Sequence, residues 1–185
     1  IYKSSHEEAE ERQKLAEEVE KAEKEMINNR PEGLIYPKNN PNIKIEIPED
    51  DVSMINNPGV RIRIECKIRN IISHSNLPLF DLADYEIVKK IGEGSYGTIF
   101  EVLNRKTKIK YAMKKLIAND LESLEKFKTE FEIINQNPHP NILDIYAMNI
   151  KCYDVTTFAL CVLMELAESD WDIEITKHFK DHKHY

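Results

Sequence analysis

The amino-acid sequence predicts an α+β chain: five strands and one main helix fill its second half, preceded by a long charged helix and a small β module. Three patterns carry that expectation. Between residues 92 and 114 a glycine-rich turn sits between β-branched and aromatic runs, with no helical pattern after it. Between 119 and 135 apolar residues return every third or fourth position, the period of a helix face. From 43 to 47 and from 60 to 68 they alternate with charged residues, the period of a half-buried strand.

Residues 1–30 are expected to form the charged helix. Ser5 followed by Glu8 reads as a capping box, the helical run extends to Asn28, and Pro31 ends it. Leu15, Val19, Ala22 and Met26 make a narrow seam of about two heptads, short for an independent coiled coil. Docking on its own chain, pairing with a partner helix and a solvated single helix are all open to it. Residues 31–42 read as a Pro/Asn-rich linker.

Residues 43–80 are expected to form the β module. Ile43, Ile45 and Ile47 alternate with Lys44 and Glu46, and Val60, Ile62, Ile64, Cys66 and Ile68 alternate with a mostly basic set, after a turn at Asn56 to Gly59. The basic face is either a solvated strand face or a docking surface for an acidic partner.

The glycine run Gly92-Glu93-Gly94-Ser95-Tyr96-Gly97 admits two meanings. A dinucleotide-binding turn must open a helix whose N-terminus receives the pyrophosphate. Here Thr98 to Leu103 is strand-like, Asn104 to Lys108 is a polar turn, and Ile109 to Lys114 alternates, so the order is strand, glycine loop, strand, turn, strand. Glycines at this spacing let the backbone pass close over a polyphosphate, and Lys114 adds a point charge for its oxygens. The plain alternative is a β-meander with a flexible turn and a surface lysine. The helix follows, with Leu121, Leu124, Phe127, Phe131 and Ile134 on one face, Asn119 and Glu122 as a capping pair, and Asn137-Pro138 as its end. Leu143 to Ile150 and Thr156 to Met164 are the last two strands, the second almost wholly apolar.

Gly92 to Ile99, the Tyr111-Ala112-Met113-Lys114 strand and the His139-Pro140-Asn141-Ile142 turn together resemble the amino-terminal lobe of a eukaryotic protein kinase. The resemblance covers residues 84–180 and implies one antiparallel five-stranded sheet with the helix beside it. It implies an ATP site in which Ile91, Gly92, Gly94, Gly97 and Ile99 cover the nucleotide, Ala112 leaves room for the base, and Lys114 reaches the phosphates. Counting back from the His139 turn makes Glu130 the helix carboxylate that pairs with Lys114; Glu125 and Glu132 lie nearby as competitors or as solvated helix charges, and a solvated charge is the plain alternative for Glu130 too. Ile134 and Ile145 match positions that couple the helix to the catalytic core. Met164 to Ala167 corresponds to the hinge between lobes, with the main chain at Glu165 and Ala167 toward adenine. Asp170 is open between a ribose contact and a helix N-cap. Tyr96 matches a position that some related kinases phosphorylate.

Nothing after Met164 matches the H-R-D, D-F-G or A-P-E motifs, which in this family supply the catalytic base and the magnesium ligands. The 185 residues are therefore expected to clamp ATP without transferring phosphate, and, beginning at Ile1 and ending in a His-rich stretch, to be a piece of a longer polypeptide. The expected whole is a kinase moving the γ-phosphoryl of Mg-ATP to a protein hydroxyl, serine or threonine, its Mg2+ ligands in the second lobe. The alternative is a pseudokinase or scaffold that assembles partners through helix 5–28. The net charge of −7 argues against a general nucleic-acid or anionic-membrane binder, and no apolar run reaches 18 residues. Cys66, Cys152 and Cys161 lack metal or disulfide spacing, and His178, His182 and His184 read as solvated rather than as a zinc site. A cytoplasmic location is expected, with a cytoskeletal association for the scaffold.

Overall fold

The computed structural model describes residues 10, 12–14, 16–17, 20–21, 30–37, 43, 45 and 58–169. The described residues between 10 and 21 are helical and exposed, and Gln13 donates to Glu17 at 3.3 Å along one helix face. The seam residues Leu15, Val19, Ala22 and Met26 lie outside the described residues, as do Asp170 and the three C-terminal histidines.

Five strands form one antiparallel sheet: β1 (Tyr85–Gly94), β2 (Gly97–Asn104), β3 (Lys110–Ala118), β4 (Ile145–Cys152) and β5 (Phe158–Met164), in the order β1-β2-β3-β5-β4. Two α-helices lie with it, α1 (Pro58–Ser73) and α2 (Leu121–Asn135), and a short 3-10 turn, Leu82–Asp84, leads into β1. The α+β expectation and the five-stranded sheet with its main helix hold. All seven residues of β5 are buried, which is what its unbroken apolar run requires of a strand covered on both faces. Asn104 shapes the turn into β3, its side-chain oxygen accepting from the N–H groups of Lys106 and Thr107 at 2.9 and 3.0 Å.

The β module is corrected where it is described: residues 58–73 are a helix. The alternating set overlaps a helical stripe, since Ile64, Ile68, Ile71 and Ile72 follow the i, i+4, i+7, i+8 rule and are the helix's buried residues. Ile62, which a strand would have buried beside Ile64, is 60% exposed. Pro58 is the first helical residue, a place where its missing N–H costs no hydrogen bond. Nor is the helix a separate module. Its isoleucines join Leu116, Leu124, Met148 and Leu160 in one core, and the coil residues Ile43 and Ile45 pack against it. Arg69 fastens this layer, donating to the Ile43 carbonyl and to Glu65, each at 2.8 Å.

The other face of the sheet carries a second core of aromatic residues. Phe80, Tyr85, Tyr111 and Tyr146 meet edge to face in sequence, with ring centroids 5.3, 6.1 and 5.7 Å apart. Residues of the expected linker cover this face. Leu34 packs on it, and Ile35 pairs with Leu79, the two exchanging hydrogen bonds of 2.8 and 2.7 Å. Among the described residues no helix is long and apolar enough to cross a membrane.

Burial pushes the Tyr85 phenol up to about 12 and the Cys161 thiol up to about 11, and raises Tyr146 as well. A buried acid whose pKa is raised on folding leaves stability intact below its unfolded value and lowers it as pH climbs toward the folded one. The melting temperature is therefore expected to hold to about pH 8.5 and then fall steadily toward pH 12. Thermal melts between pH 7 and 12 measure this. The decline should be shallower in Tyr85→Phe, and an equally steep decline there would exclude Tyr85 as a contributor.

Candidate functional site

The glycine loop is a β-hairpin. In β1 and β2, Gly92 faces Ile99, Glu93 faces Thr98 and Gly94 faces Gly97, leaving Ser95 and Tyr96 as a two-residue tip with Tyr96 72% exposed. The glycines do different work. Gly97 has φ of +151°, and a Cβ there would come within 2.2 Å of the Lys115 carbonyl oxygen, so it lets β2 start tight against β3. A Cβ on Gly94 would meet nothing within 4 Å, so the fold leaves that backbone open to a ligand. At Gly92 a Cβ would touch only Ile99, at 3.6 Å.

Register then gathers the floor of the site. Ile99 pairs with Lys114, and Ala112 pairs with Met164. Side chains alternate across a strand, so Ala112 and Lys114 point to the same side, the side that α2 covers. Ala112 and Met164 are buried in the core shared with α2, Ile99 packs at its margin, and Ile91 on β1 is exposed. Ile145, also paired with Met164, is buried, and Ile134 packs on the same core.

Helix α2 begins at a true cap. Asp120, not Asn119, accepts from the Ser123 N–H, and that bond holds the Asp120 carboxyl below its ordinary range. The difference of one residue is the choice between two adjacent Asx side chains.

Lys114 and Glu130 are not brought together. Glu130 is exposed and makes no ion pair within 4.0 Å among the described residues, whereas the Lys114 ammonium lies 5.6 Å from the centroid of the Phe131 ring. The expected solvation of Glu132 is also corrected. Its side chain is buried beside Lys128, with Nζ to Oε2 at 3.0 Å, and its other oxygen accepts the Asn76 N–H at 2.9 Å. Burial alone would raise the Glu132 pKa, but the Ser75 hydroxyl, the Lys128 ammonium and the Asn76 N–H together bring it below the ordinary carboxylate range. A sequence signal existed for this pair: Lys128 and Glu132 are i, i+4 and flank Phe131 on the buried stripe.

At the hinge, the Glu165 N–H donates to the Asp144 carbonyl at 2.9 Å. Glu165 and Ala167 are exposed coil residues, and among the described residues the Glu165 carbonyl and the Ala167 main chain have no backbone hydrogen bond. They are available to a planar ligand lying between hinge and hairpin. The site thus combines an open glycine hairpin, a partly buried cation, a small residue beside Met164 and unpaired main-chain groups. Such a set can hold a purine base at one end and phosphates at the other.

A family model described as the protein kinase domain matches residues 85–184. Among curated proteins, calcium-dependent protein kinase 5 of Plasmodium berghei is 35% identical over 107 residues, 55% of this chain and 18% of that protein. A probable myosin light chain kinase of Dictyostelium discoideum is 38% identical over 65 residues, 35% of this chain and 20% of its own. Serine/threonine-protein kinase 4 homolog A of the same organism is 42% identical over 64 residues, 34% of this chain and 13% of its own. The matched stretches thus span at most one fifth of these relatives.

Proposed function

The chain belongs to the protein kinase family, and from that premise we propose that its second half binds Mg-ATP and, joined to a second lobe, transfers the γ-phosphoryl to serine or threonine hydroxyls of a protein substrate. One observation supports this most: strand register sets Ile99, Ala112, Lys114 and Met164 on one side of the sheet, beside a hairpin whose Gly94 is open. Adenine lies between Ala112 and the hinge main chain at Glu165 and Ala167, with Ile91 and Ile99 above it. Gly92, Gly94 and Gly97 cover the phosphates, and Lys114 holds their oxygens once Glu130 orients it. Magnesium arrives with the nucleotide, and its protein ligands belong to the second lobe, where the family's catalytic base also resides.

Two measurements test the proposal. Calorimetric binding of Mg-ATP to the 185-residue chain should weaken about tenfold in Lys114→Met, the loss of one charge-assisted contact to phosphate. In a polypeptide carrying both lobes the same substitution should slow phosphoryl transfer about a hundredfold or more. Wild-type rates with Lys114→Met would refute these roles.

A second reading, a kinase-fold scaffold without transfer, draws on Phe131 standing where Glu130 is expected. It requires that the two-lobed polypeptide bind its partners yet release no labelled phosphate to any protein hydroxyl.

A further inference from the structure

The aromatic face of the sheet ends in two lysines that share one ring. Lys115 pairs with Cys161 and Cys161 with Asn149, so these three stand on one side of the sheet, and Ile117 and Lys151 follow on the same side two residues further along β3 and β4. Tyr153 brings its ring to both cations: the Lys115 ammonium lies 5.3 Å from the ring centroid and the Lys151 ammonium 5.6 Å. The two charges are therefore no more than about 11 Å apart. Both draw the Cys161 thiol down against the burial that raises it, so their fields meet over the centre of β5.

Among the described residues neither lysine has a carboxylate within 4.0 Å. Asp154, beside Tyr153, is engaged in its own turn, accepting the N–H groups of Thr156 and Thr157 at 2.7 Å each. Leu34 packs on the aromatic core of this face, whereas Ile117, at the lysine end, is 46% exposed. Two cations on one ring beside an exposed aliphatic side chain make a receptor for paired carboxylates.

The chain carries such carboxylates in its charged helix. Residues 7–25 contain nine glutamates against four lysines and arginines. Glu10 and Glu17 are helical and exposed, seven residues apart. That spacing advances about 10.5 Å along a helix and returns to nearly the same face, which matches the span of the two ammonium groups. Within one chain the two sets do not meet, since neither Lys115 nor Lys151 has an ion pair with a described glutamate of the helix.

We propose that Lys115, Lys151 and Tyr153 form the docking surface for the acidic helix of a second copy of this chain, the two copies exchanging helices in a reciprocal dimer. Each copy offers one helix and receives one, so the contact closes at two. The surface lies on the side of the sheet away from Lys114, because successive side chains of β3 face opposite ways, and docking leaves the nucleotide side open.

The test is sedimentation of the 185-residue chain at about 100 µM, compared in about 0.01 M and 0.15 M salt, where charges are felt over about 30 Å and about 8 Å. A dimer is expected at the lower salt, with its dissociation constant rising about tenfold or more at the higher. Lys115→Glu with Lys151→Glu should be monomeric at low salt, and so should Glu10→Lys with Glu17→Lys. An equimolar mixture of these two variants should dimerise again, because each helix then meets a surface of opposite sign. If the reversed lysines lower the melting temperature, Lys115→Gln with Lys151→Gln takes their place and should weaken the dimer about tenfold. A wild-type chain that stays monomeric at low salt overturns the proposal and leaves the lysines to an acidic segment of another protein. A dimer that survives reversal of both lysines also overturns it, assigning the contact to the apolar seam of the helix, as does a mixture of the two variants that fails to associate.

Discussion

Gly97→Ala is expected to lower the melting temperature of the chain by about 10 °C or more, the effect of roughly 2–4 kcal/mol on a domain of this size. Two costs combine. At φ of +151° an L-residue is strained by about 1–3 kcal/mol, and its methyl group would sit 2.2 Å from the Lys115 carbonyl oxygen, a backbone atom that cannot rotate aside. Relief requires β2 to draw away from β3 near Thr98 and Lys115, which are paired in the native register. Gly94→Ala supplies the contrast. With nothing within 4 Å of its new methyl, it should melt within about 2 °C of the wild type while binding Mg-ATP less tightly. Calorimetric melts of both variants are decisive, and a Gly97→Ala protein as stable as the wild type would show that the hairpin does not depend on that close approach.

The second large effect is expected at Ile68. It is fully buried in the core between α1 and the sheet, and Ile68→Ala should cost about 2–4 kcal/mol through lost burial and the cavity left behind. Ile62→Ala, on the exposed side of the same helix, should change stability by less than about 0.5 kcal/mol. A strand burying both residues would give comparable losses, so the ratio measured by urea denaturation separates the two conformations. It also tests whether α1 is part of the lobe: loss of a module folding by itself would leave the transition of the sheet unchanged.

What the sequence made legible was local. The glycine spacing, the strand after Gly97, the alternation through Ala112 and Lys114 and the apolar run of β5 each depend on a few neighbouring residues, and each stands in the fold where it was expected. What was missed depends on packing partners far along the chain. Val60 to Ile68 fits a period of two and, taken on to Ile72, a period near 3.6, and it is the core contributed by α2 and the sheet that selects Ile64, Ile68, Ile71 and Ile72. Glu132 reads as a solvated charge until the Asn76 N–H, 56 positions earlier, is placed against it. Ile35 likewise gives no sign in a Pro/Asn-rich stretch that its partner is Leu79. The Lys114 to Glu130 pairing is a different kind of expectation, since it comes from a family likeness, and in the described fold Phe131 stands beside Lys114 instead.

The order β1-β2-β3-β5-β4 has a consequence for biosynthesis. The last of the five described strands is inserted inside the sheet, between β3 and β4, so a ribosome-bound chain that has exposed everything up to Cys152 still leaves the facing edges of β3 and β4 unpaired. The first three strands can zip as consecutive hairpins while synthesis continues, but β3 and β4 must wait for Phe158 to Met164 to emerge. Until then Leu116 and Met148, both buried in the finished protein, lack the strand that covers them, so the centre of the sheet closes only when β5 arrives.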